Sequence, residues 1–171
     1  MIRDVNGIRP HIAESAVVDE TALIIGKVTI GENVSVWPHA LIRADEHEVM
    51  IEEGAAILDK AFIEAPRRTI IGKKSIISHG AMIHGSIIGE NVLVGIGAIV
   101  LEVSVGENSI IAAGAVVTED VEKNSFMSGI PARKKREVTE GETMHTGMVA
   151  EELMTKARHL AEAGGRSPRK F

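Results

Sequence analysis

Histidines and carboxylates are the side chains of this sequence that could carry chemistry. His79 and His84 lie five residues apart, and Glu64 comes twenty residues before His84. Imidazole and carboxylate groups bind Zn²⁺, and they also transfer protons as general acids and bases. The chain has no cysteine, which excludes a thiolate nucleophile, a cysteine-bound metal and a disulfide framework. The chemistry therefore depends on which of these side chains the fold brings together.

Composition limits the fold and the partners. The 171 residues suit one domain, and 44% of them are apolar although there are only three Phe, one Trp and no Tyr, so Ile, Val and Ala must fill the core. The net charge of −5 comes from intermixed signs, so we expect neither a nucleic acid nor a membrane partner. Residues 1–11 lack the apolar core of a signal peptide, and no apolar run approaches the roughly eighteen residues of a membrane span. We expect a cytoplasmic protein.

A six-residue repeat dominates the first 121 positions. With a few interruptions, the repeated positions are all aliphatic: Ile12, Val18, Ile24, Ile30, Val36, Ile42, Ile51, Ile57, Ile63, Ile71, Ile77, Ile83, Ile88, Val94, Val100, Val105, Ile111 and Val117. A small or β-branched residue usually follows four positions later, and glycine often comes directly after the aliphatic residue. The period is neither helical nor that of hairpins. It predicts short strands joined by corners, three to a coil, in about six parallel coils stacked roughly 4.8 Å apart.

The repeat ends after Pro131, and a different pattern follows. Val149, Leu153, Ala157 and Leu160 recur at four- and three-residue spacing, which predicts an amphipathic helix. We therefore divide the chain into a β-helix domain over residues 1–137, a helix over 138–163 that packs on the solenoid or on a neighbouring subunit, and a flexible tail over 164–171.

Stacked coils turn residues that are distant in sequence into neighbours. The residue after the third aliphatic position of each coil reads Arg43, Glu64 and His84 in three successive coils. Glu64 and His84 are one eighteen-residue coil and two extra residues apart, so their side chains could share a metal. His79 is separated from them by a corner, and it would join them only from a neighbouring subunit of a threefold trimer. The alternative is that these are ordinary surface residues, with Glu64 and Arg43 in an ion pair worth about 0–1 kcal/mol.

The six-residue pattern resembles that of the hexapeptide-repeat proteins, which form left-handed parallel β-helices. Within that group the chain resembles the γ-class carbonic anhydrases, through the HxxxxH pair of Ser78–Gly85, Trp37-Pro38 and Arg43-Ala44-Asp45. Gly129-Ile130-Pro131-Ala132 is similar to the closing coil of those enzymes. This combination is more specific than the repeat alone.

The resemblance implies a homotrimer that hydrates carbon dioxide to bicarbonate through a metal-bound hydroxide. It makes Glu64, His79 and His84 the metal ligands, with Zn²⁺ as the expected ion, Fe²⁺ or Co²⁺ as alternatives, and a metal-free protein as a further one. Arg43, Asp45, Glu46 and Asp59 would form the catalytic network, with Glu46 as a proton relay near His47. Two residues depart from the pattern: Glu64 stands where those enzymes have their first ligand histidine, and Leu58 stands where they have a glutamine that orients water. We therefore expect weak or lost hydration activity.

Two other functions fit the same residues. One is a non-catalytic trimer that binds a ligand or a partner, which the lost histidine and glutamine favour. The other is a hexapeptide acyltransferase in which His79 or His84 acts as the general base on an acyl-coenzyme A bound between subunits. No long acceptor-binding segment interrupts the coils, which argues against the acyltransferase.

Overall fold

The computed structural model describes residues 1–163 and shows a parallel β-solenoid of about seven turns with one C-terminal helix. The predicted fold class is confirmed. The count of about six coils was one short, because the last coil has a methionine in place of Ile or Val. Its strand pairs in parallel with the strand before it in the same sheet, and Met127 is buried inside. The predicted tail over 164–171 lies outside the described residues.

Short strands make up the solenoid. In chain order they are β1 (Ile2–Arg3), β2 (His11–Ile12), β3 (Val17–Val18), β4 (Leu23–Ile30), β5 (Ser35–Val36), β6 (Leu41–Ile51), β7 (Ala56–Ile57), β8 (Phe62–Glu64), β9 (Thr69–Ile71), β10 (Ile76–Ile77), β11 (Met82–His84), β12 (Ile87–Ile88), β13 (Leu93–Val94), β14 (Ile99–Leu101), β15 (Ser104–Val105), β16 (Ile110–Ile111), β17 (Val116–Val117), β18 (Ser125–Ser128) and β19 (Arg133–Glu137), and the helix is α1 (Glu140–Ala163).

The strands form three faces of a prism. The first face consists of β1, the beginnings of β4 and β6, and β8, β11, β14 and β17. The second consists of β2, the ends of β4 and β6, and β9, β12 and β15. Because β4 and β6 run around the corner, these two faces form one 11-stranded sheet. The third face is a separate 8-stranded sheet in the order β19-β18-β16-β13-β10-β7-β5-β3.

The repeated aliphatic residues fill the interior as expected. All of the eighteen positions are buried except Ile12 and Val18, which belong to the first coil and are partly buried against the core. Alanines at the corners, such as Ala61 and Ala81, are also buried, because a larger side chain there would crowd the prism. A glycine such as Gly72 is needed where coils approach closely, since a Cβ there would lie 2.5 Å from the backbone of Gly89.

Helix α1 covers the third face. Its residues Ala150, Met154 and Ala157 are buried, and Val149 and Leu153 pack beside them, which agrees with the predicted apolar face. Leu160, expected on that face, is 60% exposed. The helix contacts β7, β5 and β3, and β3 is the edge strand of this sheet. In the part of the chain described here, no helix is long and apolar enough to cross a membrane.

Two insertions project where the first face meets the second. Four residues, 45–48, oppose the single residue Lys27 at an irregularity in the β4–β6 register, and residues 65–68 lie one coil above them. The insertions are tied by Glu48, whose carboxylate lies 3.1 Å from Lys27 Nζ and 2.8 Å from Arg68 Nε. The hydrogen bonds from Lys27 and then Arg68 lower the pKa of Glu48.

Strand β19 covers the last strand of the third face at the far end of the solenoid. This strand runs antiparallel to β18, the only antiparallel pairing among the named strands of the described chain. All five of its residues, Arg-Lys-Lys-Arg-Glu, are exposed. Arg136 of β19 makes two hydrogen bonds, at 2.7 and 2.8 Å, to Glu142 at the start of α1. Its guanidinium lies over the Phe126 ring.

Candidate functional site

Stacked four-residue turns carry the candidate residues from the third face to the first. In each turn the amide of the last residue donates to the carbonyl of the first. The turns are Trp37–Ala40, Leu58–Ala61, Ser78–Ala81, Gly95–Ala98 and Ala112–Ala115. We call this edge of the prism the site corner. The third residue of each turn has a positive φ, which is why glycine stands there in the last three turns.

Asp59 and His79 are the second residues of two successive turns at the site corner. Coil stacking links them through the Gly80 amide, which donates to the Asp59 carbonyl at 2.9 Å. Their side chains also meet, with His79 Nδ1 2.9 Å from Asp59 Oδ2. The His79 side chain is 52% exposed, so the ring contacts its carboxylate on one side and solvent on the other. A carboxylate that accepts from Nδ1–H fixes the tautomer in which Nε2 is free to accept a proton.

Arg43, Glu64 and His84 form the predicted ladder at the other edge of the first face. They are paired in register across β6, β8 and β11. Arg43 Nη2 donates to Glu64 Oε1, and His84 Nδ1 lies 3.2 Å from Glu64 Oε2. Arg43 Nε also lies 3.3 Å from Asp45 Oδ1. Coil stacking therefore does bring Glu64 beside His84, as the spacing predicted.

Glu102 is an additional member of this ladder that the sequence reasoning missed. Its amide donates to the His84 carbonyl at 2.8 Å, and its carboxylate lies 3.7 Å from His84 Nε2. The ladder read from the sequence placed Leu101 above His84, which is correct for the backbone register. Glu102, one residue later, has a positive φ at the corner, and this turn brings its side chain next to His84.

The described residues of a single chain do not form a metal site. Among residues 1–163, no three His, Cys, Asp or Glu side chains are placed to hold a metal ion. Glu64 and His84 are neighbours, but one oxygen of Glu64 is taken by Arg43. His79 instead pairs with Asp59. The chain therefore supplies two adjacent candidate ligands, and the predicted third one points to a different partner.

The remaining predicted residues are divided between two environments. Asp45, Glu46 and His47 are exposed on the first insertion. Leu58, which stands where the resemblance has glutamine, is only 5% exposed and packs with Ile76 and Ala150 beneath helix α1. Trp37 packs against the same cluster. Leu58 is thus a contact of the helix and does not line an open site.

An apolar column crosses the first face between the site corner and the ladder. Its outward side chains are in register from coil to coil and all are partly exposed: Leu23, Leu41, Phe62, Met82, Ile99 and Val116. At the site corner, Ile96 lies one coil above His79 and is 59% exposed. The sequence reasoning did not single out this column, although its members recur about one coil apart, at intervals of 17 to 21 residues.

The Asp59–His79 contact was also missed, although both residues were candidates. They are separated by twenty residues, the same interval that led to the pairing of Glu64 with His84. Applying that interval to every polar residue of a turn would have found it.

Known proteins with the same repeat share this architecture. Residues 86–119 match the family model described as "Hexapeptide repeat of succinyl-transferase". The Carnitine operon protein CaiE of Escherichia coli (strain SMS-3-5 / SECEC) is 35% identical over 83 residues, which are 47% of this chain and 42% of CaiE. The match therefore spans less than half of the length of that curated relative.

Two solved structures align over almost the whole chain. One, from Bacillus cereus, is provisionally described as an acetyltransferase; it is 25% identical with a TM-score of 0.90, covering 95% of this chain and 98% of its own. The other, a hexapeptide transferase family protein from Anaplasma phagocytophilum, is 31% identical with a TM-score of 0.90, covering 93% of this chain and 97% of its own. None of these relatives is described as a carbonic anhydrase, so the resemblance to that class is not confirmed. The identity and coverage of the Anaplasma protein establish that the chain belongs to the hexapeptide-repeat family.

Proposed function

We propose that the protein is an acyltransferase that moves an acyl group from a coenzyme A thioester to a small acceptor bearing a hydroxyl or amino group. The observation that carries this proposal is the 2.9 Å contact between His79 Nδ1 and Asp59 Oδ2. A histidine oriented by a carboxylate, with its second ring nitrogen open to solvent, has the arrangement of a general base. The descriptions of the Anaplasma and Bacillus relatives support a transferase over a carbon dioxide hydratase.

The pair would act in one proton-transfer cycle. His79 Nε2 takes the proton of the acceptor as its oxygen or nitrogen attacks the thioester carbonyl carbon. The new C–O or C–N bond forms, the C–S bond breaks, and the imidazolium returns the proton to the departing thiolate. Asp59 stays ionised, holds the ring in its tautomer and stabilises the imidazolium.

The site would be completed by neighbouring copies in a homotrimer. The first face carries an unbroken apolar column, and contiguous apolar surface of this kind is typical of interfaces. In a threefold assembly, the site corner of one copy would meet the first face of the next, close to Arg43 and His84. The acyl donor and the acceptor would then bind between copies, in the cytoplasmic location expected from the sequence.

The proposal is tested by release of coenzyme A. Purified protein is incubated with acetyl-CoA and a panel of small amines, amino sugars and alcohols, and free thiol is measured by a chromogenic disulfide. We expect thiol release with one acceptor class and a loss of about 100-fold or more in His79→Asn, the range typical of a lost general base. His39→Asn is the matched control, because His39 lies at the same corner one coil before Asp59. Equal activity of His79→Asn and the wild type would overturn the proposal.

A metalloprotein is the second candidate, favoured by the 3.2 Å contact between His84 Nδ1 and Glu64 Oε2. His79 of a neighbouring copy would have to complete the site, leaving its own Asp59. Elemental analysis of untagged protein purified without added metal tests this idea. One Zn or Fe per chain, lost in Glu64→Ala and retained in Glu48→Ala, would favour it, with carbon dioxide hydration as the first reaction to assay. If the protein contains no metal and releases no thiol, the function that remains is that of a non-catalytic binding trimer.

A further inference from the structure

The turn that presents Asp59 begins with a residue held under helix α1. The Leu58 amide donates to the Ile77 carbonyl at 2.9 Å, and the Leu58 carbonyl accepts from the Ala61 amide at 3.1 Å. Its side chain points out of the third face into a cluster with Ile76 and Ala150. Leu58 is therefore fixed at both its backbone and its side chain, one residue before the carboxylate that contacts His79.

Leu58 differs in this respect from the residue that begins the next turn. Ser78 is buried but is not part of the apolar cluster under the helix, and His79 follows it. The backbone of the two turns is joined through the Gly80 amide and the Asp59 carbonyl. Leu58 is the apolar residue of these two turns that packs in the cluster beneath helix α1, whereas Ala61 and Ala81 pack in the core of the solenoid.

We infer that helix α1 acts through Leu58 to position Asp59 against His79, so Leu58 is a positioning residue of the proposed catalytic pair. This role has its catalytic meaning only if the proposed function holds. The burial of this side chain also explains why a leucine stands here. A glutamine would place a polar amide beneath the helix among Ile76 and Ala150, where a buried polar group without a hydrogen-bond partner is unfavourable.

The test compares Leu58→Ala with Leu93→Ala. Leu93 packs against the same cluster beneath the helix but lies on β13, outside the two turns that carry Asp59 and His79. Both variants lose the same side-chain atoms and are expected to melt at lower temperature than the wild type. Nitrogen-15 NMR of labelled histidine then reports which ring nitrogen of His79 carries the proton when the imidazole is neutral.

We expect the Nδ1-protonated tautomer of His79 in the wild type, in Leu93→Ala and in the conservative variant Leu58→Met. In Leu58→Ala the two ring-nitrogen resonances should shift towards those of a free histidine, in the same direction as in Asp59→Asn. Leu58→Val replaces Leu58→Ala if the latter does not fold. Indistinguishable His79 spectra in the Leu58 and Leu93 variants would overturn the inference, whether or not the protein transfers acyl groups.

Activity gives a second measurement once an acceptor is found. A positioning role predicts that Leu58→Ala lowers kcat while KM for the acyl donor stays within about twofold, because the base is misaligned and the donor site is not altered. A change in KM alone would contradict it. Absence of thiol release in the wild type would remove the proposed function and leave the NMR comparison to decide the structural claim.

Discussion

At the scale of single residues, the interval of about one coil decides which side chains become partners. Asp59 with His79 and Glu64 with His84 are both pairs separated by twenty residues, and both are in contact. The contacts differ in their surroundings, since Glu64 is shared with Arg43 whereas Asp59 and His79 stand at an exposed corner. The first pair is therefore available for proton transfer, and the second pair is part of a charged ladder.

Substitution of two glycines tests how closely the coils approach each other. Gly72→Ala places a Cβ 2.5 Å from the Gly89 backbone, which cannot move without separating two coils, so we expect a loss of about 3 kcal/mol in the free energy of unfolding. Gly80→Ala meets nothing within 4 Å but must adopt a φ of 66°, so its loss should be about 1 kcal/mol. Urea unfolding followed by circular dichroism measures both. A smaller effect for Gly72→Ala than for Gly80→Ala would contradict the packing argument.

At the scale of elements, the repeat predicted the strands because each inward position must be aliphatic to fill the prism. Outward positions have no such constraint, which explains why the sequence did not reveal the side chain of Glu102 beside His84 or Leu58 beneath the helix. The apolar spacing predicted α1 and placed its start two residues early, at 138 instead of Glu140. Leu160 was assigned to the buried face because it follows the same spacing, which does not show which positions near a helix end contact the sheet.

The start of α1 gives a prediction for pH dependence. Thr139 and Glu142 form reciprocal hydrogen bonds of a capping box, with the Thr139 amide 3.0 Å from Glu142 Oε2 and the Glu142 amide 3.3 Å from Thr139 Oγ1. The hydrogen bond from Arg136, and then that from the Thr139 amide, lowers the pKa of Glu142 from 4.5 to about 2. The stabilisation by the carboxylate is therefore complete above about pH 4.5 and is lost as the pH falls towards 2.

We expect Glu142→Gln to melt at lower temperature than the wild type at pH 7, and the difference to shrink as the pH falls from 4.5 to 2. Thermal melts followed by helical circular dichroism measure it. Glu140→Gln is the control, since Glu140 is the other acidic residue of the first helical turn. A difference that persists unchanged at low pH would show that the carboxylate charge is not responsible.

At the scale of the whole molecule, the three faces are covered unequally. Helix α1 packs on the third face, whereas the first face shows its apolar column without cover from any described part of the chain. The sequence suggested a trimer through the supposed metal site and through the family resemblance. The column is a separate reason to expect association, and it does not depend on whether a metal binds.

Assembly is tested by a charge placed on the column. Phe62→Glu is expected to give a monomer, because the carboxylate would be buried between copies without a partner. Ile87→Glu is the matched control: Ile87 is 43% exposed on the second face, so this change should leave a trimer intact. Sedimentation velocity gives the masses. A wild type that sediments as a monomer would contradict the proposed trimer and the shared site.

The charges of strand β19 affect whether the end of the solenoid can pair with a second molecule. A stack of parallel strands ends in unpaired amides and carbonyls that could template another chain, the route by which open sheets extend into fibres. Here the terminal strand presents Arg133, Lys134, Lys135 and Arg136 in succession. Two copies that approached each other through this strand would oppose like charges along its length. Strand β19 should therefore not pair with the same strand of a second copy, even when the protein is concentrated.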